Sequence, residues 1–284
     1  MLRFALLFFV WASFGVGYSQ GKPAYTLYTG KGKKVSFKKM VKQAEKSNVI
    51  FFGELHNSAI AHWLQLELTK ELGESNQLVL GAEMFERDNQ DELNRYLRDE
   101  IDANELDSTA RLWSNYATDY APLVNYAKEH GLNFIATNIP RRFANIVYKK
   151  DVQGLDSLSE EELSWIAPLP FPYDSLLPTY QNILEMMGEH GTPQLVKAQA
   201  IKDATMGHSI APHLSDSTIF IHYNGAFHSN YSEGILWYLN QYADSFTPLT
   251  ISTVTQSQIG KLQKEHLGKA NFIICVDEDV TTTY

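Results

Sequence analysis

The stretch VIFFGELHNSAIAH, residues 49–62, decides how the chain is read. Val49 to Phe52 form a short, continuously apolar run closed by Gly53, which is the pattern of a strand buried on both faces. The run ends in two ionisable groups, Glu54 and His56, with a second histidine, His62, six positions on. Working outward from the strand at 48–53, similar runs recur at 77–82 (QLVLGA), 132–137 (LNFIAT), 217–224 (STIFIHYN), 248–254 (PLTISTV) and 271–276 (NFIICV). Between them lie helical patterns at 58–73, 87–99, 108–130 in one or two pieces, 140–149, 159–166, 175–190, 193–213 and 230–242. Strands alternating with helices predict an α/β fold, a mostly parallel central sheet flanked by helices. Residues 25–46 read as a small turn, TGKGKK, followed by a lead-in helix. The segment from about 140 to 216 carries no strand pattern and reads as a helical insertion or cap, with the proline-rich APLPFPYDSLLP as a kinked connection.

The first 20 residues, MLRFALLFFVWASFGVGYSQ, have one basic residue, Arg3, an apolar run from Phe4 to Val16, and then small and polar residues. That is the layout of a secretory signal peptide, too short for a membrane span. Cleavage near Ser19 or Gln20 leaves 21–284 as a single exported α/β domain. Cys275, the one cysteine of the 284 residues, sits in the apolar NFIICV and reads as a core residue. No cysteine lies near the cleavage site to accept a lipid, and a thiolate metal site is excluded. The formal charge of −9 and the lack of a Lys/Arg cluster argue against nucleic acid as a partner.

Ligands of open parallel sheets bind beyond the carboxyl ends of the strands. Those ends are Gly53-Glu54-Leu55-His56, then Gly81-Ala82-Glu83-Met84-Phe85-Glu86, then Asn138-Ile139-Pro140-Arg141-Arg142, then Asn224-Gly225-Ala226-Phe227-His228. Two of them repeat Gly-x-x-His. Glycine allows a sharp turn and a close backbone approach, and a histidine three residues later faces the same edge. Two such turns on neighbouring strands bring His56 and His228 together, with Glu54 and Glu83 beside them. Two imidazoles and one or two carboxylates suit Zn²⁺, Mn²⁺ or Fe²⁺, and an imidazole or phenolate equally suits haem iron.

Structural readings stand beside these. Glu83 could be answered by Arg141 or Arg142 as an ion pair, His228 could cap a helix near 230, and His56 could merely precede the better caps Asn57 and Ser58. His62 could be a packed core histidine, and His208 and His213 read as a solvated helix end. Trp113, Tyr116 and Tyr120 fall at helical spacing, which describes either a core face or the aromatic wall of a slot for a flat cofactor.

The order GELHNSAIAH, GAEMFERDNQ, TNIPRR, KAQAIKDATMGHSI and NGAFH resembles the ChaN-like haem-binding family, which is grouped with the Tiki proteases and erythromycin esterases. The resemblance runs from about Tyr25 to Tyr238. It matches His56 and His228 to the paired histidines, Glu54 and Glu83 to the acidic positions, and Arg141 to the arginine after Asn138-Ile139-Pro140. It implies an exported haem-binding protein of haem or iron uptake, paired as a homodimer and working with outer-membrane uptake machinery. Tyr120, His56 and His62 are then the candidate haem contacts. The alternative is a metal-dependent hydrolase. There His56, His228 and a carboxylate hold a divalent ion that activates water, Glu54 or Glu83 is the general base, and Arg141 steadies an oxyanion.

Overall fold

The structure is a computed structural model and describes residues 21–284; the leader expected at 1–20 lies outside the described residues. Seven strands form one sheet: β1 (Tyr25–Thr29), β2 (Val49–Glu54), β3 (Gln77–Glu86), β4 (Asn133–Asn138), β5 (Thr218–Gly225), β6 (Pro248–Gln256) and β7 (Phe272–Asp277). The helices are α1 (Phe37–Ala44), α2 (Ala59–Gly73), α3 (Gln90–Leu97), α4 (Ala103–Thr109), α5 (Ala121–Glu129), α6 (Arg141–Lys150), α7 (Glu160–Ser164), α8 (Pro178–Met187), α9 (Pro193–Ile210) and α10 (Ile235–Tyr242). Strand order is β1-β7-β6-β2-β5-β3-β4, parallel throughout except for β1, which pairs antiparallel with β7 at the edge. The α/β fold expected from the sequence is the one observed.

Connection handedness decides which helices cover which face. From β2 to β3 to β4 the chain moves towards one edge, and from β4 to β5, β6 and β7 it moves back. Right-handed crossovers therefore put the early helices on one face and the later ones on the other. The packing agrees. Ile50 and Phe52 of β2 lie in a core with Met40, Leu64, Leu68, Leu93 and Val124. Val49 and Phe51, pointing the opposite way, lie with Met206, Ile210, Ile235 and Leu239. Phe51 and Phe52 are fully buried, each worth about 1.5–3 kcal/mol relative to exposure.

Adjacent β2 and β5 send their following helices to opposite faces, so a crevice opens beyond their carboxyl ends. Glu54 pairs in register with Gly225 there.

Three expectations are corrected. The expected turn at TGKGKK and the lead-in helix are present, but a strand, β1, precedes them at residues 25–29. The pattern at 230–242 opens on a 3-10 turn at Asn230–Ser232 and becomes α-helical only from Ile235. The second apolar run continues to Glu86, with its pairing to β4 interrupted between Ala82 and Glu86, so Glu83 sits on a strand irregularity rather than after the strand. The segment from 140 to 216 is helical, from α6 to α9. Among the described residues no helix is long and apolar enough to cross a membrane.

Candidate functional site

The carboxyl ends of β2, β3 and β5 form the floor of a cavity of about 730 Å³, within the usual range for small-molecule sites. Glu54, His56, Glu83, Arg141 and His228 all line it, so strand-end reasoning brought five residues to one place. Ser58, and not His56, caps α2, its side chain accepting from the Ala61 amide.

Glu54, at the end of β2, is buried. Its Oε1 accepts from the Tyr120 hydroxyl at 2.7 Å and faces His56 Nδ1 at 2.8 Å; its Oε2 accepts from Gln65 at 2.5 Å. His56 is thus oriented through Nδ1, and its Nε2 has no hydrogen-bond partner among the described residues. That nitrogen lies over Gly225, where a Cβ would stand 2.8 Å from it. The glycine of the second Gly-x-x-His turn is required by this close approach, since its backbone has an ordinary negative φ. Burial pushes the His56 pKa down, but the Glu54 bond and the Glu83 charge outweigh it and the net movement is upward. Trp113 packs edge-on against the ring at 4.9 Å.

The second histidine is held differently. His228 is buried between two carboxylates, with Nε2 3.1 Å from Glu83 and Nδ1 2.5 Å from Asp203. Burial alone disfavours the imidazolium, yet the charges of Glu83 and Asp203 and their hydrogen bonds raise the pKa to about 10. Glu83 also accepts from the Gly225 amide at 2.7 Å, and its pKa falls well below the carboxylate range because, against the cost of burial, His228 holds it charged. The outer oxygen of Asp203 accepts from Tyr180 at 2.8 Å; burial pushes this carboxyl upward despite His228.

Several sequence expectations change here. Glu83 is answered by His228 and not by an arginine, and Arg142 goes to Asp88. The set His56, His228, Glu54 and Glu83 meets, but not as a site for Zn²⁺, Mn²⁺ or Fe²⁺. A metal needs neutral imidazole, whereas both nitrogens of His228 are committed to carboxylates. Among the described residues no group of three or more His, Cys, Asp or Glu is arranged to hold an ion. Tyr120, expected as a haem contact, is 1 % exposed and points inward onto Glu54; burial and that carboxylate keep its phenol protonated. His62 is also buried behind the floor, 3.0 Å from the His56 carbonyl and 3.4 Å from Asp119. Neither lines the cavity.

Sequence reasoning missed Asp203, Gln65, Lys202 and Tyr284. Asp203 and Gln65 had a signal: each is a polar residue among the buried apolar residues of its helix. Tyr284 reaches the cavity because Thr283 bonds Asn57 and Asp119, which nothing local announces.

Above the polar floor the walls are apolar, with Ile183, Met186, Met187, Leu195 and Phe227. Met186 is 69 % exposed and Phe227 42 %. Exposed apolar surface around a concave polar centre marks a ligand groove. For haem the donors fit: a ring nitrogen without a protein partner, whose other nitrogen is bound to a carboxylate as in metal-ligating histidines, an apolar wall for the macrocycle, and cations at the margin.

The model of a family described as haem-binding uptake, Tiki superfamily, ChaN matches residues 40–239. A solved structure of ChaN from Campylobacter jejuni, described as binding haem cofacially, is 16 % identical, covers 89 % of this chain and 97 % of that one, and superposes with a TM-score of 0.67. A solved erythromycin esterase in its open conformation, 13 % identical over 90 % of this chain and 83 % of its own, reaches only 0.48. The Arabidopsis thaliana chloroplastic protein RETICULATA-RELATED 5 is 26 % identical over 204 residues, 66 % of this chain, and the match spans only 27 % of that relative's length. The chain belongs to the haem-binding ChaN family of the Tiki superfamily.

Proposed function

We propose that the cavity at the ends of β2, β3 and β5 binds haem, with His56 Nε2 as the ring nitrogen offered to iron. The observation that carries this is the state of His56. Its Nδ1 is fixed on Glu54 at 2.8 Å while Nε2 opens into an apolar-walled cavity of about 730 Å³. Bound haem supplies a ferric centre that accepts such a ligand. Glu54 orients the ring and raises its basicity, and Glu83 and His228 hold the Gly225 turn on which the ring rests.

The wider reading is that the protein is exported through its first 20 residues, pairs as a homodimer and serves haem or iron uptake at an outer membrane. It is supported by the composition of that leader and by the description of the family. N-terminal sequencing of protein recovered outside the cytoplasm tests export. Sedimentation with and without haemin tests pairing.

The decisive experiment is a haemin titration of the metal-free protein followed at the Soret band. A saturable shift that is lost in His56→Ala and kept in Tyr120→Phe is the expected result. A flat titration of the wild-type protein overturns the reading.

A further inference from the structure

The loop that carries His56, between β2 and α2, is gripped by its backbone carbonyls. The His56 carbonyl accepts from His62 Nε2 at 3.0 Å and from Asn115 Nδ2 at 3.3 Å. The next carbonyl, of Asn57, accepts from the Thr283 amide at 3.0 Å, and Ser58 bridges antiparallel to Thr282. A buried carboxylate ties these grips together. Asp119, 2 % exposed, accepts on Oδ2 from Asn115 at 2.7 Å and from the Thr283 hydroxyl at 2.8 Å, and the same oxygen stands 3.4 Å from His62 Nε2. His56 is thus fixed at its ring by Glu54 and at its backbone by a cluster that includes residues from the other end of the sequence.

The grip of segment 282–284 is unlike the others. Thr282 and Tyr284 are exposed and Thr283 is half-buried, so the segment adds little apolar burial. One backbone hydrogen bond and one charge-assisted bond stabilise it by about as much as the ordering of its residues costs. Its docking is therefore finely balanced, and any interaction that differs between the docked and released states shifts it. Neither Thr283 nor Asp119 lines the cavity, while Tyr284 does.

We propose that residues 282–284 form a strap whose docking on Asn57 and Asp119 sets the His56 ring for its ligand, with Thr283 as the positioning residue. The inference rests on the haem reading and deepens it. Release of the strap leaves the Asn57 carbonyl and Asp119 each short of a donor, and the loop under His56 relaxes. Coupling of this kind is reciprocal: a ligand held by His56 draws the strap down by the same factor by which the strap tightens the ligand. Tyr284, 66 % exposed, moves with the strap, so occupancy of the cavity is reported at the protein surface.

The test is a Soret titration of haemin into the wild-type protein and its Thr283→Val, Thr283→Pro and Thr283→Ser variants, well below their melting temperatures. Thr283→Val deletes the hydroxyl to Asp119 and Thr283→Pro the amide to Asn57. Each should weaken haemin about tenfold, the low end for a hydrogen bond to a charged group, and Thr283→Ser should restore wild-type affinity. At saturation the visible bands of the Val and Pro variants should also shift, because the imidazole meets iron in a different position. In the wild-type protein, hydrogen exchange at the Thr283 amide should slow about tenfold when haemin is saturating, as reciprocity requires. Full affinity in both the Val and Pro variants, a loss with unchanged visible bands, or exchange that haemin does not slow overturns the strap and leaves haem binding standing. A flat titration of the wild-type protein removes the haem reading, and the strap's role with it.

Discussion

Replacing His228 by glutamine tests the electrostatics of the floor most directly. The imidazolium lies between Glu83 at 3.1 Å and Asp203 at 2.5 Å and is 5 % exposed. A rise in pKa from 6.5 to about 10 converts to about 4–5 kcal/mol at about 1.4 kcal/mol per unit. Removing one partner of a buried ion pair costs about 3–5 kcal/mol by mutation, in the same range. Because Gln can still donate to one carboxylate, a loss of about 3 kcal/mol at neutral pH is expected, which lowers the melting temperature by on the order of 10 °C. The direction with pH follows from linkage. A folded pKa above the unfolded one gives stability that is complete below about 6.5 and is lost as pH rises through about 10. Urea unfolding of the wild-type protein should therefore show stability falling across that window, and His228→Gln should flatten the fall. Adding Asp203→Asn to His228→Gln should recover part of the loss, since one fewer buried charge is left unanswered. A cost below about 1 kcal/mol, the value of an exposed pair, together with an unchanged pH slope, would refute the argument.

Other outcomes follow from the same geometry. Tyr120→Phe should cost about 1.5–3 kcal/mol in urea unfolding, because it deletes a hydrogen bond to buried Glu54, while haemin affinity stays unchanged. Gly225→Ala places a Cβ 2.8 Å from His56 Nε2; it should cost about 1–3 kcal/mol through overpacking and weaken haemin binding by displacing the ring. Haemin affinity should fall with decreasing pH through a midpoint above the ordinary imidazole value of 6.5, since the His56 pKa is raised and a protonated ring cannot ligate iron. A midpoint below that value in a Soret titration would remove His56 as the ligand.

Six of the seven strands were legible because their residues are buried on both faces and read as continuous apolar runs. Strand β1, YTLYT, was not. It is an edge strand, only partly buried, and its pairing with β7 joins residues about 250 positions apart, as in Tyr25 with Val276. The site was legible to the extent that it is built at strand ends, as Glu54, His56, Glu83, Arg141 and His228 are. Asp203 arrives from α9 and Tyr284 from a tail bonded to Asn57 and Asp119, so only tertiary packing brings them in. Helical spacing placed Tyr120 with Trp113 and Tyr116 but could not say which of them faces the cavity. Trp113 does, and Tyr120 lies behind Glu54.

The two Gly-x-x-His turns are indistinguishable as motifs, and their chemistry is opposite because of what stands behind each. Behind His56 there is one carboxylate, Glu54, whose remaining capacity is taken by Tyr120 and Gln65. One imidazole nitrogen is thereby fixed and the other left over. Behind His228 there are two carboxylates, one from β3 and one from α9, and no nitrogen is left over. A fixed cation at that point neutralises Glu83, which in turn holds the Gly225 amide at 2.7 Å and so the surface on which His56 rests. The helical insertion is therefore part of the site: α9 supplies Asp203, which does not itself line the cavity, and removing it should, through His228, loosen the Gly225 turn and lower haemin affinity.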